Sequence, residues 1–347
     1  MAIIMRVKGG QLASAGKNEA LTAWWGTAAL SLCLLVGCSP RQPAVDLYLD
    51  AVALRELGQN ALAVEKLDAV VKADPDFAPA YLELGKAYRA LRDDDKAMAA
   101  FQQAAQLDAW SFEHQLELAK CCRELGKYPQ AANAYVRAAE LDPKSLEAQM
   151  GAAECYLKMG EYAKSLTYCE LAEKGGAKPQ EVLPLLACAY EGQKDHERAI
   201  QAYRRLLTLD DDNPNVLLSL GVAYMRAGQY DRAREALVSA AQVGPENGVV
   251  FRHLGYCLIR LEQVEQAIQM YQKSVDLDAN DWEAHRGLGV ACMIEARQTA
   301  DAHMQEQALR YWRRSLAIKP DQPKHEVLEK LIREHSKLQN PLQGLNY

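Results

Sequence analysis

The chain of 347 residues is 49% hydrophobic and 25% charged, which supplies ample apolar material for a large core and excludes whole-chain disorder. Forty Lys and Arg stand against 46 Asp and Glu, a net charge of -6 with no basic block, so nucleic acid is not an expected partner. Aromatic residues make up only 7%, with four Phe, and good helix formers dominate every stretch, so the expected class is all-α.

The first twenty residues carry Arg6, Lys8 and Lys17 against a single Glu19, and Leu21 to Gly37 contain no charge. That order is the basic region and apolar run of an export signal. The run ends Leu35-Val36-Gly37-Cys38, which resembles the lipobox of bacterial lipoprotein signals, with residues 1–37 removed and the Cys38 sulfur acylated. Two other readings of the same run are an ordinary secretory signal and an uncleaved anchor. For an anchor, seventeen residues that include Thr22, Gly26, Thr27 and Ser31 sit at the short limit of about 17 to 25. Cleavage before Cys38 would leave 37 basic against 45 acidic residues. Ser39 stands where the inner-membrane retention signal has Asp, so the resemblance implies an outer membrane, facing the periplasm. Residues 38–43, with two prolines, are expected to form a short tether.

A small residue then recurs every 34 positions: Ala51, Gly85, Ala119, Ala153, Ala187, Gly221, Gly255 and Gly289. Three positions after each comes an apolar residue, among them Tyr88, Cys122, Tyr156, Tyr224 and Leu258. A second small residue follows at twelve positions (Ala63, Ala97, Ala131, Ser165, Ala199, Ala233, Ala267), and Leu67, Phe101, Tyr135, Cys169, Tyr203, Leu237 and Tyr271 lie four further on. Gly58, Gly126, Gly160 and Gly228 fall between the two halves, and Pro75, Pro143 and Pro245 close three units. This register resembles the tetratricopeptide (TPR) repeat, and the resemblance implies a solenoid of about eight helix pairs over 44–320. The expected units are 44–77, 78–111, 112–145, 146–179, 180–213, 214–247, 248–281 and 282–322.

The eighth unit departs from the register by seven residues, because Ala308, Trp312 and Pro320 are all displaced by that amount. Seven residues are close to two helical turns, so a lengthened hairpin over Glu295 to Gln307 keeps the inward faces in place. After it, residues 323–338 group Val327, Leu328, Leu331 and Ile332 on one side, as a terminal capping helix requires, and 339–347 read as a loose tail.

Seven histidines show no HExxH spacing, and there is no G-x-S-x-G elbow or phosphate-binding loop. Gly287 and Gly289 lie inside a first helix and are expected to serve packing. No enzyme, cofactor or metal site is therefore expected. Seven cysteines remain beyond Cys33 and Cys38. Cys122, Cys169 and Cys292 read as core fillers, and Cys121 and Cys155, one repeat apart, are too far separated for a disulfide ladder.

In each first helix the positions three before, one after and four after the 34-spaced residue form a separate stripe. The TPR resemblance implies that this stripe lines the concave surface where an extended peptide is held. It suggests a cationic zone of Lys86, Arg89, Lys120 and Arg123 for peptide carboxylates. It also suggests a mostly apolar zone of Leu218, Val222, Met225, Arg252, Tyr256, Ile259, Arg286, Val290 and Met293 for side-chain anchors. Lys and Arg that merely solvate a helix face would give the same pattern. The sequence is thus expected to encode a lipid-anchored, non-catalytic interaction scaffold or assembly factor of the bacterial envelope, similar to pilotin-type TPR lipoproteins. Two alternatives are a periplasmic scaffold of a polysaccharide synthesis or export complex and the regulatory arm of a TPR glycosyltransferase.

Overall fold

Helix starts are written into short polar side chains, and the computed structural model shows them at work. Ser111 and Ser145 accept from the amides of His114 and Ala148 at 3.3 and 3.2 Å, and Asp281 accepts from Glu283 and Ala284 at 3.0 Å. Each such bond satisfies an amide that the first helical turn leaves without a partner. Helix ends are equally regular. The amides of Gln59, Lys127, Gln229 and Gln263 each reach back five residues, to the carbonyls of Leu54, Cys122, Tyr224 and Leu258 at 2.8 to 2.9 Å. Those carbonyls belong to the column three residues after the small one, so the register that sets packing also sets the turn.

The structure describes residues 41–339, with side chains from 44 to 336; the basic and apolar leader, Cys38 and residues 340–347 lie outside the described residues. Seventeen α-helices follow one another among them, without a strand. None is long and apolar enough to cross a membrane. The chain forms two units, divided between Ala109 and Trp110.

The first unit holds α1 (Arg41–Glu56), α2 (Asn60–Ala73), α3 (Ala78–Ala90) and α4 (Asp94–Leu107). Its core gathers Ala51, Leu67, Val70, Ala80, Leu84 and Ala100. Phe101 is fully buried, and a Cβ on Gly85 would stand 2.5 Å from its ring, so α3 and α4 meet only because residue 85 has no side chain.

The second unit holds α5 (Phe112–Glu124), α6 (Tyr128–Leu141), α7 (Leu146–Lys158), α8 (Tyr162–Lys174), α9 (Pro179–Gly192), α10 (His196–Leu207), α11 (Pro214–Arg226) and α12 (Tyr230–Val243). It continues with α13 (Gly248–Arg260), α14 (Val264–Leu277), α15 (Trp282–Thr299), α16 (Ala302–Ile318) and α17 (His325–Gln339). The same close approach recurs at Gly221 against Leu237, Gly255 against Tyr271 and Gly289 against Trp312, where an added Cβ would lie 2.6, 2.8 and 2.4 Å away. Gly287 would likewise meet Tyr271 at 2.3 Å. Both glycines that mimic a phosphate loop are therefore contact surfaces.

The displaced eighth pair is accommodated by length. α15 has 18 residues and α16 has 17, against 13 and 14 in the pair α13 and α14. The turn between them shortens to Ala300 and Asp301, with Ala300 left-handed at φ 56°. All seven cysteines among the described residues are free thiols, with six buried and Cys188 exposed. Burial pushes Cys155 and Cys292 up to about 11 and Cys169 and Cys257 up to about 12, which keeps these thiols protonated and inert.

Four of the turns use glycine with φ between 69 and 77°, and three use Arg92, Lys194 and Glu262 at φ 62 to 63°. A side chain in that region costs about 1–2 kcal/mol. Gly228 has nothing within 4 Å of its missing Cβ, so Gly228→Ala tests backbone conformation alone. We expect it to destabilise the second unit by about 1–2 kcal/mol and Glu262→Gly to stabilise it by up to about 1 kcal/mol, both read from urea midpoints at unchanged slope. Equal effects of the same sign would contradict this account.

Candidate peptide-binding groove

The first helices α11, α13 and α15 place equivalent stripe residues side by side, and part of the stripe opens into a cavity of about 620 Å³. Met225 contributes from α11, Arg252, His253, Tyr256 and Ile259 from α13, and Glu283, Arg286 and Val290 from α15. Tyr271 and Trp312 reach it from the second helices α14 and α16. Its remaining wall comes from Pro323 and Lys324 in the last turn and from Val327, Leu328 and Leu331 on α17.

That wall gives the final helix a face on the cavity besides the cap expected of it. Leu328 is buried, Leu331 and Ile332 are partly buried against the core, but Val327 is 54% exposed and faces the cavity. Val327 and Leu331 lie 41 residues after Arg286 and Val290, one 34-residue period plus the seven-residue insertion. α17 therefore stands in the place of a further first helix and carries the stripe onward. The sequence contained this signal, but it appears only when the insertion is added to the period.

Of the apolar-zone residues, Met225, Arg252, Tyr256, Ile259, Arg286 and Val290 come together at this cavity. Leu218 and Val222, nearer the start of α11, are half-buried and are not among its lining. Met293 is 5% exposed and belongs to the core. Tyr256 and Val290 are the open contact surfaces, 41% and 39% exposed. The Tyr256 ring is held edge-on by Tyr230 at 6.4 Å, and its hydroxyl accepts from Arg260 Nη1 at 3.3 Å.

The cations are unequally committed. Arg252 Nη1 lies 2.7 Å from Asp281 and 2.9 Å from Glu283, and Asp281 is the buried carboxylate that caps α15, so Arg252 joins one repeat to the next. Arg286 donates to the carbonyl of Pro323 at 3.3 Å and lies 4.9 Å from the Trp282 ring centre. In the first unit, Lys86 pairs with Glu83 at 2.9 Å, Glu83 also takes Arg55, and Arg89 lies 5.4 Å from the Phe101 ring centre. In the second unit, Lys120 pairs with Glu117 and Glu147 at 3.3 and 2.8 Å, and Arg123 pairs with Glu154 at 3.0 Å above Tyr135. Lys86, Lys120 and Arg123 are thus already matched by carboxylates of their own unit, which a ligand would have to share.

Burial pushes His253 well below its ordinary 6.5, to about 4; Arg252 and Arg226 add to the effect and Asp281 opposes it. The cavity consequently keeps a neutral imidazole at neutral pH. Because the folded value is the lower one, the unfolded chain binds the extra proton first as pH falls. His253 therefore contributes stability that is complete above about 6.5 and is lost on the way down to about 4. We expect the urea midpoint of His253→Gln to fall less steeply than wild type across that window; parallel curves would remove the histidine from the acid response.

Two tetratricopeptide repeat models match the chain, one over 48–113 and 117–182 and the other over 191–251 and 226–292. The small glutamine-rich tetratricopeptide repeat-containing protein 2 of Mycosarcoma maydis is 28% identical over 98 residues, 28% of each chain. The type IV pilus assembly protein PilF of Pseudomonas aeruginosa is 29% identical over 97 residues, which are 27% of this chain and 38% of PilF. The chain thus spans well under half the length of these curated relatives. In the solved APC/C hetero-tetramer Cut9-Hcn1, a chain 15% identical superposes with a TM-score of 0.50 over 79% of this chain and 52% of its own, which shows the shared fold. The repeat models extend over more than half of the residues, through both units, and the chain belongs to the tetratricopeptide repeat family.

Proposed function

We infer that this TPR protein is a non-catalytic protein-interaction scaffold that holds a partner segment in the groove of its second unit. The observation that carries this reading is the convergence of six stripe residues, spaced by the 34-residue period, on one largely apolar cavity with Tyr256 and Val290 exposed on its surface. Aromatic and aliphatic anchors of this kind supply most of the binding energy at interaction surfaces, and backbone-extended ligands suit a row of parallel helices. The cations Lys86, Arg89, Lys120 and Arg123 enter as secondary contacts.

Acylation at Cys38, attachment to the outer membrane and action as an envelope assembly factor complete the reading. They are supported by the Leu35-Val36-Gly37-Cys38 run and by the partial similarity to a pilus assembly protein. A photo-reactive phenylalanine analogue placed at Tyr256 or at Val290 in the full chain is expected to trap the same partner, and one at Glu235 on the exposed side of α12 none. Equal trapping from Glu235 would refute the groove. Metabolic labelling with a fatty acid is expected in wild type and absent from Cys38→Ser; a labelled Cys38→Ser protein would overturn the anchor.

A further inference from the structure

We propose that the cavity selects a peptide segment in which Asp or Glu side chains stand beside bulky apolar ones. The carboxylate would be held by Arg286 and Lys324, and the apolar side chains would seat on Val290, Val327 and Leu331. This deepens the groove reading and rests on it.

Charge complementarity carries the assignment. Arg252 is consumed by Asp281 and Glu283, and Glu283 is the carboxylate on the cavity wall. Arg286 and Lys324, in contrast, form no ion pair among the described residues, although both line the cavity. They are neighbours through the bond from Arg286 Nη1 to the Pro323 carbonyl, which precedes Lys324 directly. Lys319 adds a further positive charge, its Nζ lying 5.0 Å from the centre of the same Trp282 ring that Arg286 contacts. In a chain of net charge -6, these two cations line a cavity whose other walls are mostly apolar. A guanidinium partly withdrawn from water gains most from a carboxylate that meets two of its N–H groups.

The two cations belong to successive steps of the groove, α15 and the turn into α17, so they present charge along a ligand's path. That arrangement fits side-chain carboxylates within a segment better than a single terminal one.

The test is selection of random dodecapeptides by messenger-RNA display against the full chain, since displayed peptides have no free carboxyl terminus. Wild type is expected to enrich Asp or Glu adjacent to Leu, Ile or Phe. The double variant Arg286→Glu, Lys324→Glu is expected to enrich Lys or Arg beside the same apolar residues and to bind wild-type-selected peptides at least tenfold more weakly. Arg286→Gln, Lys324→Gln, with helix content checked by circular dichroism, covers the case in which reversal disturbs the turn, and is expected to weaken the same peptides without selecting basic ones. Identical peptides from all three proteins, enrichment without acidic residues, or no enrichment at all would overturn the proposal. Peptides that need Tyr256 and Val290 but ignore the charge variants defeat only the charge assignment; peptides indifferent to all four residues defeat the groove reading itself.

Discussion

Trp312→Ala is expected to lower the stability of the last helix pairs by about 3–5 kcal/mol, the range for removing a large aromatic from a core. The indole is 3% exposed, it fills the space that Gly289 leaves open on α15, and it forms part of the cavity wall. Its Nε1 has no hydrogen-bond partner, so the side chain stabilises by packing alone. Trp312→Phe is therefore expected to cost less than half as much, because the lost volume is partly offset by removal of an unsatisfied buried donor. Repeat arrays are stabilised through nearest neighbours, so the loss is expected to stay local. Hydrogen exchange should accelerate in α15 to α17 while α5 to α8 keep their protection. Uniform acceleration through the second unit would mean that it unfolds as one block.

Much of this architecture could be read from spacing because one residue type governs each contact. The 34-residue column locates the helix crossings, and the ring contacts of Gly85, Gly255 and Gly289 give its physical cause: a bulky partner, sixteen positions on for Gly85 and Gly255 and seven further for Gly289 across the insertion, occupies the space of the missing Cβ. The reversing turns were legible at Gly126 and Gly228 but not at Arg92, Lys194 and Glu262, which adopt the same left-handed backbone without the residue that announces it. That Arg252, Tyr256, Arg286 and Val290 come together at one cavity was legible from the same spacing.

The state of the charges could not be read from the stripe. Lys86 and Lys120 have a carboxylate one turn earlier in their own helix, whereas Arg123 meets Glu154 31 residues on and Arg252 meets Asp281 29 residues on. Those last separations depend on how far one repeat is rotated over the next. A residue that reads as a ligand-binding cation then becomes a strut, as Arg252 does. The role of α17 was hidden for a different reason, because a periodic search at 34 residues ends where the insertion breaks the period.

Val290→Asp is expected to weaken peptides selected by wild type by about thirtyfold while leaving the urea midpoint almost unchanged. Val290 is 39% exposed in the free protein, where a carboxylate stays hydrated and a surface exchange costs within about 0.5 kcal/mol. Once an apolar ligand side chain covers it, the same carboxylate loses water, and a penalty near 2 kcal/mol corresponds to that fold-change. Met293, three residues on in the same stripe, gives the opposite pattern. It is 5% exposed and packed in the core, so Met293→Ala should cost about 2–5 kcal/mol of stability and reduce affinity only by the fraction unfolded. Fluorescence anisotropy with a labelled selected peptide, read beside urea unfolding of each variant, separates the two residues. Equal affinity for wild type and Val290→Asp would show that ligand contact does not occur at this face, whatever the cavity contains.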